Sequence, residues 1–359
     1  MRVIISAGGT GGHIYPALAI INKIKIEEPN SEFLYIGTHN RMENDIVPKA
    51  SIPFKSIEIY GFSKNVFKDI KTTFCVVKSY RKCKKIISDF KPDVVIGVGG
   101  YVTAPVIYAA KKLGYKTVIH EQNSLPGKSN QFLSRYSDLV CVSFKSSMEY
   151  FSGRNVLYTG NPCSEDALKS KAIDKKTYGL NKDKKLVLIV MGSLGSSRIN
   201  DYLVHSMNLF SGHDYEILFV TGKRDYDNVV KNSFPSNVHV VPYVDGMTGL
   251  MKNSDLIVSR AGASTLSEII ALGLPSILIP SPYVANNHQY KNALDLVNVG
   301  ASIMIEEKDL NGDILVRKID EILSDDIKVK GMKDSLKSMM VHNSASLIYE
   351  SIKKLIDRK

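Results

Sequence analysis

Short, continuous apolar runs alternate with longer stretches of three-to-four periodicity along nearly the whole chain, and this alternation limits the fold more than any other feature. The runs Val3–Ser6, Phe33–Ile36, Val94–Gly97, Thr117–His120, Leu139–Val142 and Val156–Thr159 read as strands. A second series follows at Leu186–Met191, Glu216–Thr221, Val238–Val241, Leu256–Ser259, Ser276–Pro280 and Ala301–Ile305. Unbroken Val/Ile/Leu runs, rather than apolar–polar alternation, belong to strands buried on both faces. Between them, sets such as Leu18, Ile21, Ile24 and Leu266, Ile269, Ile270, Leu272 repeat at helical spacing. The βαβα order predicts an α/β protein whose sheets are covered by helices on both faces.

The series occurs twice. Each half opens with a strand that runs into a glycine-rich loop and then a helix. The first is Val3-Ile-Ile-Ser-Ala-Gly-Gly-Thr-Gly-Gly-His13 and the second Leu186-Val-Leu-Ile-Val-Met-Gly-Ser-Leu-Gly-Ser196. Between the halves, Asn161-Pro162 to Lys185 is polar, Lys-rich and weakly periodic, and reads as a linker. The expected organisation is therefore a domain over residues 1–163, a second over 164–344, and a short Lys-rich amphipathic helix over 345–359 that packs back across the linker. Two doubly wound domains imply an inter-domain cleft at the carboxyl ends of both sheets, where such folds bind ligands.

With 359 residues the chain is long enough for two domains. No apolar run approaches the roughly 20 residues of a membrane span; the best, Leu186 to Met191, has six. Residues 1–6 read as a buried strand with no signal-peptide core after them, which predicts a cytosolic protein. Cys75, Cys83, Cys141 and Cys163 form no C-x-x-C pair and no zinc spacing, so buried structural thiols are expected. Charge is lopsided: residues 1–163 carry 22 Lys+Arg and 12 Asp+Glu, the remainder 25 and 24. Such a first half calls for an anionic partner, nucleic acid or an anionic membrane. The excess concentrates in residues 60–91, where nine Lys/Arg interleave with Phe62, Val66, Phe67, Ile70, Phe74, Val76 and Val77. That mixture suits a segment dipping into a bilayer, and equally an amphipathic helix packed inward with a solvated basic face.

The loops carry the chemistry. Gly8-Gly-Thr-Gly-Gly-His13 is not G-x-G-x-x-G, because position 14 is Ile, and no acidic residue ends strand Phe33–Ile36, so NAD binding is disfavoured. It also lacks the Lys-Ser/Thr of a P-loop. Four glycines at a strand-to-helix turn admit a ligand's phosphates or another backbone, and His13 at the lip is a general-base candidate. In the second half, Ser259-Arg-Ala-Gly-Ala-Ser-Thr-Leu-Ser-Glu268 opens a helix, so Ala263, Ser264 and Thr265 present N–H groups and hydroxyls to an anion. Glu268 suits a sugar diol, or else merely favours the helix start. His288, Gln289 and Asn292 enter another helix from a polar loop, and His120-Glu-Gln-Asn123 ends a strand where α/β sheets face their ligands. Asp225-Tyr-Asp227 has metal-binding spacing but no acidic or His cluster beside it, and reads as a solvated loop.

Taken together, these elements resemble the MurG family of glycosyltransferases, which moves GlcNAc from UDP-GlcNAc onto undecaprenyl-diphospho-muramoyl-pentapeptide, converting lipid I to lipid II. The resemblance runs in order through Gly8–His13, Gly97-Val-Gly-Gly-Tyr101, His120–Asn123 and Gly160-Asn-Pro162. It continues through Gly192-Ser-Leu-Gly195 with Arg198-Ile-Asn200, Arg260–Glu268 and Gln289-Tyr-Lys-Asn-Ala293. It implies a GT-B fold of two Rossmann-like domains, inverting chemistry, no cofactor and no catalytic metal. By motif match, Gly192, Ser193 and backbone near Val244 frame the nucleoside; Glu268 holds the ribose diol; Ala263, Ser264 and Thr265 hold the diphosphate. His288 and Gln289 stand where the family has a Gln-Gln pair on the GlcNAc, so His288 is a departure. Thr10, Gly11, Gly12 and Asn123 reach the sugar from the first domain. Ser164 stands where many members have Arg, and that contact is not carried over. His13 is the first candidate base and Glu121 the second. The implied partners are UDP-GlcNAc, the lipid I acceptor, an anionic inner-membrane surface met through residues 60–91, and other cell-wall synthesis proteins. The implied location is the cytoplasmic face of the cell membrane, held peripherally.

Two rival enzymes share the implied fold, a UDP-GlcNAc 2-epimerase and a glycolipid synthase using a UDP-sugar. A non-enzymatic rival is a basic nucleic-acid-binding protein using Phe62, Phe67, Phe74 and Tyr80 for stacking. That reading leaves the paired glycine loops and polar strand ends without purpose, so no nucleic-acid partner is expected.

Overall fold

The computed structural model describes residues 1–59, 66–192 and 195–357, the side chains of 66–74 excepted. The chain divides into two compact units, Met1–Cys163 with Asn343–Lys359, and Ser164–His342. In the first, the apolar runs form seven strands: β1 (Arg2–Ser6), β2 (Glu32–Thr38), β3 (Phe54–Ile57), β4 (Val94–Gly97), β5 (Lys116–Glu121), β6 (Leu139–Val142) and β7 (Val156–Tyr158). They pair in parallel in the order β3-β2-β1-β4-β5-β6-β7. Helices α1 (Gly11–Glu27), α2 (Glu43–Lys49), α3 (Val66–Phe90), α4 (Thr103–Lys112) and α5 (Lys128–Leu133) fill the connections. Side chains alternate in direction along a strand, so Val3 and Ile5 join a core under α1 while Ile4 joins the one under α3 and α4. All three are fully buried, as two-sided burial requires.

The second unit repeats the plan. Strands β8 (Lys185–Val190), β9 (Tyr215–Val220), β10 (Val238–Val241), β11 (Leu256–Ser259), β12 (Ser276–Leu278) and β13 (Ser302–Met304) pair in the order β10-β9-β8-β11-β12-β13. Around them run α6 (Cys163–Lys169), α7 (Ser197–Ser206), α8 (Tyr226–Val229), α9 (Met247–Met251), α10 (Ala263–Leu272), α11 (His288–Val297), α12 (Gly312–Leu323) and α13 (Asp326–Met339). In both sheets the strand order reverses beside the central strand, β1 or β8. Each glycine loop therefore leaves the sheet at a topological switch point, the usual ligand position in this architecture.

Two expectations change, and one of two open readings gains support. Strand β3 was not anticipated: only Ile57 of its four residues is buried, so it carries no apolar run. The segment expected as a linker folds onto the second unit. Ile173 N donates to Gly249 O (2.9 Å), Asn253 Nδ2 to Ile173 O (2.7 Å) and Lys252 Nζ to Leu168 O (2.7 Å). Gly249 admits this approach, since a Cβ there would lie 2.3 Å from Lys171 O. In α3 the described part follows the inward-packing alternative. Cys83 and Ile87 are fully buried, while Lys78, Arg81, Lys82 and Lys85 are exposed. The side chains of Phe62, Val66, Phe67, Ile70 and Phe74 lie outside the described residues.

The final helix, α14 (Ser344–Asp357), belongs to the first unit. Ile348 and Ile352 enter the core beside α1, and Lys353 Nζ pairs with Glu28 at 2.8 Å. All four cysteines are buried without a disulfide, and burial pushes the Cys83 and Cys141 thiols up to about 12, which keeps them protonated and inert. Among the described residues no helix is long and apolar enough to cross a membrane.

Candidate active site

At the switch point of the first sheet two glycine loops close on each other. Gly8 N donates to Gly99 O (3.2 Å), and a Cβ at Gly100 would lie 2.5 Å from Gly8 O. Gly99 has φ +110°, and a Cβ there would fall 2.6 Å from His13 Nδ1. Much of the glycine requirement is thus met by protein atoms: backbone approaches backbone, and room is kept for the His13 ring. Beneath the loop lies Glu43 of α2, fully buried, which accepts from Gly9 N (3.1 Å), Thr38 N (3.1 Å) and Thr38 Oγ1 (2.6 Å). Thr10 is exposed at the start of α1, its carbonyl accepting from His13 N and Ile14 N. The N–H groups of Gly11 and Gly12 precede the first intrahelical bond and point outward with the positive end of a 17-residue helix.

His13, half-buried, donates or accepts through Nδ1 at 2.9 Å from Gln122 Oε1. Gln122 Nε2 lies 2.9 Å from both Val98 O and His120 Nδ1, and His120 Nε2 lies 3.1 Å from Gly160 O. Burial pulls the His120 imidazole down to about 4, so it is neutral at physiological pH. Glu121 differs from its expected role as second base. Its Oε1 takes bonds from Asn123 N (2.9 Å) and Asn123 Nδ2 (3.1 Å), and its Oε2 from Gly127 N (3.0 Å) and Asn130 Nδ2 (2.9 Å). Four donors occupy a carboxylate's four acceptor positions, so Glu121 shapes the 122–130 loop and has no lone pair left for a substrate proton.

In the second unit, α10 starts after Gly262, and Leu266 N makes the first bond, to Gly262 O (2.9 Å). Ala263, Ser264 and Thr265 therefore keep their N–H groups outside the helical ladder. Ser264 Oγ is buried with no hydrogen-bond partner, a hydroxyl left for something not made by the described residues. Glu268, one turn on, is held up to about 7 by burial, with no hydrogen bond or ion pair among the described residues. Two asparagines with left-handed backbone, Asn286 (φ +55°) and Asn287 (φ +50°), lead into α11. There His288 Nδ1 bonds Ala285 O (2.8 Å), and Gln289 Oε1 accepts from Ser281 N (2.8 Å), leaving the Gln289 NH2 and His288 Nε2 for other partners. Asn292 is fully buried and donates to Ala261 O (3.1 Å), so it ties α11 to the α10 loop rather than reading a sugar. Val244 is buried, Gly192 has φ +89°, and Ser193 lies outside the described residues.

Two further groups organise this loop cluster. Buried Glu307 pairs with Arg260 (2.7 Å) and Arg198 (3.4 Å), and Arg260 also donates to Ile279 O (3.1 Å). Asp225 is no solvated loop residue: Ser197 Oγ and Asn200 Nδ2 donate to it at 3.0 Å each, anchoring the start of α7. No group of three or more His, Cys, Asp or Glu that could hold a metal occurs among the described residues.

Two matches now decide the family. The glycosyltransferase family 28 N-terminal domain matches residues 3–142, and the family's C-terminal domain matches residues 186–348. The chain belongs to glycosyltransferase family 28. A UDP-N-acetylglucosamine–N-acetylmuramyl-(pentapeptide) pyrophosphoryl-undecaprenol N-acetylglucosamine transferase of Bacillus cereus is 48% identical over 364 residues, covering 100% of each chain. Its counterpart in Bacillus licheniformis is 45% identical and covers 99% of each. The crystal structure of Acinetobacter baumannii MurG superposes with a TM-score of 0.81 at 26% identity, over 98% of this chain and 99% of that one. A UDP-GlcNAc 2-epimerase from Neisseria meningitidis, bound to UDP-GlcNAc, shares the fold alone: 15% identity, TM-score 0.70, over 99% of this chain and 100% of that one. This family 28 glycosyltransferase has the GT-B fold, built from the seven- and six-stranded parallel sheets described above. Sequence reasoning missed Gln122, Glu43 and Glu307 as working parts of it. Glu43 and Glu307 sit in charged runs that look solvated; Gln122 stands inside a noticed motif, but its partner His13 is 109 residues away.

Proposed function

We propose that this family 28 member is an N-acetylglucosaminyltransferase that moves GlcNAc from UDP-GlcNAc to the 4-hydroxyl of the muramoyl sugar in undecaprenyl-diphospho-muramoyl-pentapeptide. Lipid I becomes lipid II, with inversion at the anomeric carbon, in peptidoglycan synthesis. The observation that carries this reading is full-length kinship, at 48% identity, with transferases named for that reaction.

The second unit takes the donor. The free N–H groups of Ala263, Ser264 and Thr265 and the unpartnered Ser264 hydroxyl receive the diphosphate. Negative charge grows on UDP as it leaves, and the α10 N-terminus stabilises that charge. Glu268 accepts two hydrogen bonds from the ribose diol, which favours its ionised form. Gly192, Ser193 and Val244 frame the nucleoside, while the His288 Nε2 and the Gln289 NH2 meet the GlcNAc. The first unit supplies the base. His13 Nε2 takes the proton of the acceptor 4-hydroxyl as that oxygen bonds to the anomeric carbon; the bond to UDP breaks, and its electron pair leaves on the diphosphate oxygen. Thr10, Gly11, Gly12 and Asn123 contact the sugar from this side. The exposed basic face of α3 meets anionic lipid at the cytoplasmic face of the membrane, where the acceptor and other cell-wall synthesis proteins are found.

The test is transfer of labelled GlcNAc from UDP-GlcNAc to a short-chain lipid I analogue, with EDTA present and with an acceptor-free control. Product only when the acceptor is present is the expected result. Formation of UDP-ManNAc without acceptor would replace this reading with the epimerase, and product that needs added Mg²⁺ would overturn the metal-independent chemistry.

A further inference from the structure

Four groups of the first unit form a hydrogen-bond chain whose direction is dictated from one end. Gly160 O can only accept, so His120 Nε2, 3.1 Å away, must carry the proton. A neutral His120 then has a bare Nδ1, which accepts from Gln122 Nε2 (2.9 Å). Val98 O (2.9 Å) and His120 O (3.1 Å) also face that nitrogen, and both only accept. A flipped amide would set its oxygen against three acceptors at once. Gln122 Oε1 therefore points at His13, and His13 Nδ1, 2.9 Å away, must be the donor. We infer that Gln122 is a positioning residue that holds neutral His13 as the Nδ1–H tautomer and so leaves the Nε2 lone pair bare. Burial of His120 supports the chain, since its imidazole, lowered to about 4, stays uncharged across the working pH range. Gly99 keeps the space in which the ring takes this pose. The inference rests on the proposed reading of His13 as the base, because only a base needs that particular nitrogen free. It also explains why a strand end should carry His and Gln two residues apart: the pair transmits the polarity of a backbone carbonyl to a side chain on helix α1.

Side-chain ¹⁵N–¹H spectra of the histidines at about pH 8.5, where an ordinary imidazole is neutral, test this directly. The His13 signals are identified by their loss in His13→Gln. The wild type is expected to show His13 as Nδ1–H, the tautomer that free histidine disfavours. Gln122→Met should move it to Nε2–H and lower kcat roughly tenfold to a hundredfold, a part of the 10²–10⁴ a positioned base supplies, with KM for UDP-GlcNAc unchanged. Gln122→Glu keeps an oxygen for His13 and should retain the Nδ1–H form, although its second oxygen, set against Val98 O, His120 O and His120 Nδ1, should lower Tm. An Nε2–H His13 in the wild type, or an unchanged Nδ1–H form in Gln122→Met, overturns the inference. A tautomer switch in Gln122→Met without loss of kcat leaves the positioning role standing and removes His13 as the base.

Discussion

Burial raises the Glu268 carboxyl from 4.5 to about 7, so between those values the folded chain binds more protons at this site than the unfolded one. Stability contributed by the protonated group is present below about pH 4.5 and is lost as pH rises through about 7. Under the proposed donor pose binding works in the opposite sense, because the carboxylate offers both oxygens as acceptors to a diol while the protonated form turns one into a donor. Donor affinity in the wild type should therefore rise between about pH 6 and pH 8, and calorimetric titration with UDP would show it. Glu268→Gln should flatten that dependence and weaken UDP roughly tenfold to a hundredfold, the worth of hydrogen bonds to a charged group. The same variant should melt higher than wild type at about pH 8 and little differently near pH 4.5. A lower Tm at alkaline pH would count against a desolvated Glu268. Gly99 makes a second residue-scale case: with φ +110° and 2.6 Å between an added Cβ and His13 Nδ1, Gly99→Ala should displace the imidazole. Steady-state kinetics should then show kcat falling by about tenfold or more with KM for UDP-GlcNAc preserved.

At the scale of elements, α14 separates packing from surface charge. Ile352 is fully buried in the core beside α1, whereas Lys353 and Glu28 are 37% and 23% exposed in their ion pair. Truncating the isoleucine removes apolar contacts and leaves a cavity, at about 2–5 kcal/mol, while an exposed pair contributes about 0–1 kcal/mol. Urea unfolding should therefore show a large loss of stability for Ile352→Ala and a small one for Lys353→Ala. Equal losses would mean that the helix is held chiefly by its charges. Helix α2 combines the two: Val47 is fully buried in the core with Ile46 packed against it, and Glu43 ties the first glycine loop to the end of β2 through three bonds.

For the whole molecule, each unit has its own sheet and its own core, so each is expected to answer to its own ligand. A saturating donor that binds the second unit stabilises that unit by about 2.7 kcal/mol at a hundredfold excess over Kd. Differential scanning calorimetry with UDP should move the transition of Ser164–His342 upward and leave that of the first unit in place. A shift of the first unit's transition alone would put the donor site in the wrong half. The charge asymmetry belongs to this scale too. The excess of Lys+Arg, 22 against 12, lies in residues 1–163, so attraction to an anionic surface is a property of the first unit and should weaken with salt.

Central strands buried on both faces report their surroundings in their own residues, as Leu186–Met191 and Leu256–Ser259 do, while edge strand β10 is legible from its three valines although only Val238 of its four residues is buried. Edge strand β3 escaped because Lys55 and Ser56 interrupt it and only Ile57 is buried. Glycine loops and the polar strand end His120–Asn123 mark the candidate site just as locally, although the close approach of the Gly8 and Gly100 backbones makes part of the glycine requirement the turn's own. The roles inside the site are another matter. Glu121 reads as a base until four donors close around it, and residues 161–185 read as a linker until Leu168 and Ile173 are seen bonded to the 249–253 stretch. By itself, then, the sequence determined which segments are buried, that the plan is doubled, and where the glycine-rich and polar loops of the candidate site lie, because burial and backbone conformation select residue types position by position. Only the tertiary structure decided which nitrogen of His13 is bare and which carboxylate is sequestered. Hydrogen bonds are directional and reach about 3 Å, and partners 109 residues apart in the chain, as His13 and Gln122 are, meet at that range only after the order of the strands has brought them together.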